Sequence, residues 1–93
     1  MFKVNEYFDG KVKSIAFKAA EGATTIGVMA EGEYEFGTAT VEYMTVTSGI
    51  MNVLLPGETE WKSFGKGETF IVEKDKKFNV KMKGQVAYIC LYK

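Results

Sequence analysis

Between Lys77 and Lys83 the chain alternates strictly: Phe78, Val80 and Met82 against Lys77, Asn79, Lys81 and Lys83. Period-two alternation puts one residue type on each face of a strand, so this segment predicts a strand with an apolar and a lysine-rich side. Lys83-Gly84 then reads as a tight hairpin turn into Gln85–Lys93. Ser48-Gly49 does the same between Glu42–Thr47 and Ile50–Leu55, and Asp9-Gly10 is a third such signal ahead of Lys11–Phe17. The last strand differs. Val86, Tyr88, Cys90 and Tyr92 form one face and Ala87, Ile89 and Leu91 the other. A strand apolar on both sides needs cover on both sides, from a second subunit or from the chain's own Phe2–Phe8 segment. The expectation is a homodimer.

No window carries a helical stripe of useful length. Gly22, Gly27, Gly32 and Gly37 recur every five residues, but the residues between them do not match, so they read as turns and tight strand bends rather than a repeat. The pattern predicts an all-β chain of about eight or nine short strands, with residues 1–93 forming one small barrel or sandwich domain.

Composition removes whole classes of chemistry. The chain has no histidine and no arginine, and its 12 lysines balance 12 carboxylates. Imidazole-based metal sites and Ser-His or Cys-His catalysis cannot be built, and arginine forks for phosphate are missing. A net charge of zero argues against a nucleic-acid or anionic-membrane partner. One cysteine, Cys90, forms no internal disulfide, and the opening residues lack a signal peptide's apolar run, so a cytoplasmic protein is expected.

Glu42 is followed by six residues and Gly49, and Gly67 by five residues and then Glu73. These stretches resemble the paired signatures of the cupin barrel, a small jelly roll. Phe36 and Thr38, or Glu35 and Gly37 one register earlier, stand where a metal-binding cupin carries two histidines, Phe78 stands at the third, and only Glu42 keeps the ligand identity. The reading is a cupin without metal, and no cofactor is expected. A wider resemblance rests on Asn5–Ile15, Gly27-Val28-Met29 with Gly32–Phe36, Met44-Thr45-Val46 with Ser48-Gly49, Val53–Gly57, Glu60-Trp61 and Tyr88–Tyr92. In order across nearly the whole chain, these blocks are similar to the small pyrimidine/purine nucleoside phosphorylase family. One departure is Phe70-Ile71-Val72 followed by Glu73 where the family tends to have proline, which sets the Glu73–Lys77 loop apart.

The resemblance implies broad-specificity phosphorolysis, in which nucleoside and phosphate give free base and ribose 1-phosphate. The alternative is a metal-free cupin that binds a nucleoside or sugar without turnover. Without arginine or histidine, phosphate must be held by lysine, hydroxyls and backbone N–H groups. Lys13, in the opening block, is the first choice, against the reading of Lys11-Val12-Lys13 as a solvated edge. Glu42 shares a strand face with Met44, Val46 and Ser48; pointing inward, it would gain a raised pKa and hold ribose or protonate the base. Its other reading is a wet position at the strand's start. Tyr34 and Phe36 are candidates for stacking on a base, with Glu33 and Glu35 facing outward. Thr38, Ser48, Tyr88 and Tyr92 supply hydroxyls on inward registers.

Overall fold

The computed structural model describes residues 1–93, and the chain is strand and turn throughout, with no helix. Ten strands follow one another: β1 (Lys3–Tyr7), β2 (Val12–Ala19), β3 (Gly22–Met29), β4 (Gly32–Gly37) and β5 (Glu42–Ser48), then β6 (Met51–Leu54), β7 (Lys62–Phe64), β8 (Thr69–Val72), β9 (Lys77–Met82) and β10 (Val86–Tyr92). The all-β expectation holds, with ten strands in place of eight or nine.

The pairing has a simple logic. β6 pairs with β7, β5 with β8, β4 with β9 and β3 with β10, so residues 22–92 form one long antiparallel hairpin with its tip at β6–β7. That hairpin is folded over on itself, and the fold is sewn by two further ladders, β10 with β5 and β9 with β6. Two sheets result, β1-β2-β3-β10-β5-β8 and β4-β9-β6-β7. This is the strand order of a jelly roll. The ladders do not close the two sheets into a continuous barrel; side chains bridge them.

Those side chains come from the alternation legible in the sequence. Phe78, Val80 and Met82 of β9 face Met44 and Val46 of β5 and Val86, Tyr88 and Cys90 of β10, all within a core of fifteen buried residues. Phe78 meets Phe70 of β8 at a centroid distance of 6.1 Å, edge to face, a contact that joins the two sheets.

β1 extends the six-stranded sheet at its edge by pairing with β2. The N-terminal segment therefore does not lie over β10, and Ala87, Ile89 and Leu91 stay half-buried on an outer face of this chain. The β1–β2 connection is also not a two-residue Asp9-Gly10 turn. Phe8, Asp9 and Gly10 all adopt left-handed backbone angles, at φ 54, 57 and 83°, and Gly10 N–H donates to the Tyr7 carbonyl at 3.2 Å.

Gly27 lies between Ser14 of β2 and Tyr88 of β10, its Cα partners on either side. A Cβ there would come within 2.6 Å of the Tyr88 hydroxyl and 2.8 Å of the Lys13 carbonyl oxygen. The tyrosine ring fills the space that a side chain would take. Gly27→Ala is expected to cost about 2 kcal/mol, a lowering of the melting temperature by roughly 10 °C, because neither neighbour can retreat. Gly65→Ala, whose Cβ would meet only the Glu68 side chain at 3.6 Å, is the control and should lose little. Thermal melts of the two variants check this; equal melting temperatures would contradict it.

Candidate active site

The gap between the sheets is filled at one end and open at the other. The open end is a cavity of about 620 Å³. One wall is the inner face of the six-stranded sheet: Ser14 on β2, Met29 on β3, Glu42 and Met44 on β5, and Tyr88 and Tyr92 on β10. The opposite wall is Glu35, Phe36 and Gly37 on β4 with Phe78 on β9. Tyr7 and Phe8 of the first hairpin, and Ala39 and Thr40 of the β4–β5 connection, complete the lining.

Glu42 begins β5, opposite Tyr92 of β10 and Val72 of β8. It lines the cavity and is half-buried, so it combines the inward direction with a position at the strand's start. Partial loss of water raises its pKa from the ordinary carboxylate value. The Cys90 thiol opposes that, donating to Oε1 at 3.6 Å and so favouring the ionised form. In return, burial and the nearby carboxylate push the thiol up to about 12, leaving it protonated and unsuited to nucleophilic work.

The hydroxyls of Tyr88, Tyr92 and Ser14 are the other polar groups on that wall. Tyr92 shares a hydrogen bond with the Thr25 hydroxyl at 2.9 Å, and burial raises its pKa. Tyr88 lies across Gly27 toward the Ser14 hydroxyl, and burial lifts its pKa to about 12. Both remain neutral hydroxyls at any physiological pH, able to donate and accept.

The structure thus brings Glu42, Phe36, Tyr88 and Tyr92 together and leaves the other expected residues elsewhere. Lys13 follows Val12 and precedes Ser14, both buried; strand alternation turns it outward, where it meets Glu6 at 3.7 Å with both side chains solvated. No lysine lines the cavity. Ser48 fails for a different reason. The β5–β10 register shifts between Ala87 and Tyr88, pairing Ser48 with Ala87 but Val46 with Tyr88, so Thr47 is bulged and Ser48 is exposed.

Thr38 is buried, and it serves the chain. Its Oγ1 donates to the Glu73 carbonyl at 2.6 Å and accepts from the Lys76 N–H at 3.0 Å. Its backbone N–H donates to the Lys76 carbonyl, and its carbonyl accepts from Asp75 N–H, each at 2.9 Å. This pins the Glu73–Lys77 loop, which lacks the proline of the family pattern. Tyr34 is likewise committed, its hydroxyl donating to the Ala30 carbonyl at 2.8 Å. Tyr7, Phe8, Met29 and Thr40 were not identifiable as lining residues from the sequence; only the folding-over of the hairpin gathers them. Glu35, expected to face away, is exposed yet reaches the lining. No cluster of three histidine, cysteine, aspartate or glutamate side chains able to hold a metal ion is present.

A jelly roll with a carboxyl set among aromatic rings in a cavity between its sheets is a cupin-like fold. A family model described as pyrimidine/purine nucleoside phosphorylase matches residues 2–92. The pyrimidine/purine nucleoside phosphorylase of Alcanivorax borkumensis is 60% identical over 92 residues, covering 99% of this chain and 98% of that one. Among solved structures, a protein of unknown function from Vibrio parahaemolyticus superposes with a TM-score of 0.93 at 41% identity, covering 97% of this chain and 96% of its own. A second protein of unknown function, from Acinetobacter sp. ADP1, gives 0.92 at 28% identity over 98% of this chain and 90% of that one. The chain belongs to the pyrimidine/purine nucleoside phosphorylase family.

The raised carboxyl has a thermodynamic signature. Above the unfolded value near 4.5, the folded state keeps a proton on Glu42 that the unfolded chain has released. Stability therefore falls as pH rises from there through the folded pKa. Urea unfolding at a series of pH values should show this slope in the wild type and lose it in Glu42→Gln. Cys90→Ala, lacking the thiol donor, should carry the slope to higher pH. A slope unchanged in Glu42→Gln would mean that the carboxyl is not the group responsible.

Proposed function

We propose that this cavity is where the chain carries out phosphorolysis. As a member of its family the chain is a nucleoside phosphorylase, converting a purine or pyrimidine nucleoside and phosphate to free base and ribose 1-phosphate. The observation that carries the site assignment is the Glu42 carboxyl, desolvated and facing an aromatic-walled space large enough for a nucleoside.

The chemistry follows from what each group can give. As the bond from C1′ to the base nitrogen breaks, positive charge grows on the ribose and negative charge on the base. A carboxyl whose pKa is raised by burial keeps its proton to higher pH than an exposed one, and that proton can pass to the departing base. An unprotonated oxygen of monohydrogen phosphate forms the new bond to C1′, and the proton on another oxygen of that phosphate returns to the Glu42 carboxylate, so the proton count closes. Tyr88 and Tyr92, neutral and on the same wall, hydrogen-bond the ribose hydroxyls. Phosphate is held by the hydroxyls of Ser14 and Thr40 and by backbone N–H groups, since no lysine of this chain lines the cavity.

A second copy of the chain covers the outer face of the six-stranded sheet. Val4, Ile15, Ile26 and Val28 stand there with 42–59% of their surface exposed, beside the outer side of β10, and the chain's own N-terminal segment does not shield them. A homodimer through this face, working in the cytoplasm on small-molecule substrates without nucleic acid or membrane, fits the unpaired Cys90 and the balanced charge.

Two experiments test these readings. Uridine and inosine are incubated with the protein with and without phosphate, and free base is followed. Base release that needs phosphate is expected, and Glu42→Gln should lower kcat by roughly 100-fold or more. Release without phosphate would make the protein a hydrolase, and no release would leave it a binder. For the dimer, Ile26→Lys should sediment as a monomer; a variant that sediments like the wild type removes this face from the interface.

A further inference from the structure

We propose that Phe8 is the residue that grips the base, stacking on its π-face at the mouth of the cavity and so setting the enzyme's tolerance for purines and pyrimidines alike. The proposal rests on the nucleoside reading of the site and adds to it a residue that the sequence pattern did not single out.

Three independent observations meet at this position. The first is backbone geometry. Phe8 occupies a left-handed conformation, φ 54°, within a turn closed by the Gly10 N–H bond to the Tyr7 carbonyl. Such turn positions favour Gly, Asn and Asp, and a bulky aromatic residue is among the worst choices. Asp9 and Gly10 beside it are the residue types that this geometry favours. A residue held against its local preference, at a cavity, marks a position selected for something other than the turn.

The second is exposure. Phe8 lines the cavity yet keeps 44% of its surface exposed, whereas Tyr34 is buried with its hydroxyl committed to Ala30. The third is ring arrangement. Phe8 stands perpendicular to Phe36 at 5.6 Å and tilted to Tyr34 at 4.9 Å, so one side of its ring is braced by the core. Phe36 in turn leans on Phe78 at 5.8 Å. A braced ring with exposed surface is a preorganised stacking platform.

Stacking explains breadth of specificity. Every nucleobase has a π-face, so a platform of this kind accepts both ring sizes without reading their hydrogen-bonding edges. A pocket that relied on edge hydrogen bonds would reject one class strongly.

The test uses Phe8→Asn, which removes the ring and supplies a residue suited to the turn. KM for uridine and for inosine should each rise about tenfold, with kcat changed less, while Phe8→Tyr stays within about twofold of wild type. Calorimetric affinity for ribose 1-phosphate should be unchanged, and the melting temperature equal or higher. Unaltered KM values overturn the proposal. So does equal weakening of ribose 1-phosphate, or a clearly lower melting temperature, either of which would make Phe8 a packing residue. Should the wild type release no base, the phosphorylase reading falls separately. Uridine affinity measured on wild type and Phe8→Asn then decides this one: weaker binding in the variant supports it, and equal binding or none in the wild type overturns it.

Discussion

One half-buried carboxyl carries the chemistry assigned to the cavity. Glu42 sits at the start of β5, opposite Tyr92 and Val72, where the six-stranded sheet turns its inner face toward β4 and β9. Burial there disfavours its charge, and the only side-chain hydrogen-bond partner in this structure is the weakly donating thiol of Cys90. Burial favours the protonated acid, the form that can give a proton, and the thiol hydrogen bond opposes it. A lysine at this place would hold the group ionised; a filled core would have no use for it.

The fold exists to make that arrangement possible. Pairing β3 with β10 and β5 with β10 places Thr25, Cys90 and Met44 in one row across the inner sheet face, with Glu42 and Tyr92 in the next. The second sheet supplies the opposing aromatic wall, Phe36 and Phe78. Thr38 is spent on anchoring the Glu73–Lys77 loop, which leaves Glu35, Glu42 and several hydroxyls as the polar lining.

Most of the architecture was legible because the forces that set it are local. The alternation of Phe78, Val80 and Met82 and the turn glycines Gly49 and Gly84 announce strands and hairpins directly. The inward face of Glu42, Tyr88 and Tyr92 followed from the same period. What the pattern missed has physical causes of three kinds. One bulged residue, Thr47, reversed the face of Ser48. The place of Lys13 in a block rich in hydroxyl and basic groups suggested a phosphate contact, but its buried neighbours Val12 and Ser14 turn it out to solvent. Phe8 reached the cavity through left-handed backbone angles that its residue type disfavours, and Thr40 through a connection with no periodicity to read.

The most direct check of the central claim is the titration of the Glu42 side chain itself. Carbon-13 NMR of the glutamate carboxyl resonances, with Glu42 assigned by its absence in Glu42→Gln, reports that one group without reference to turnover. The account predicts a midpoint above that of the exposed glutamates, moving further up in Cys90→Ala. A midpoint at or below theirs would mean that the carboxyl is solvated and ionised, and the acid on which the mechanism turns would not be there.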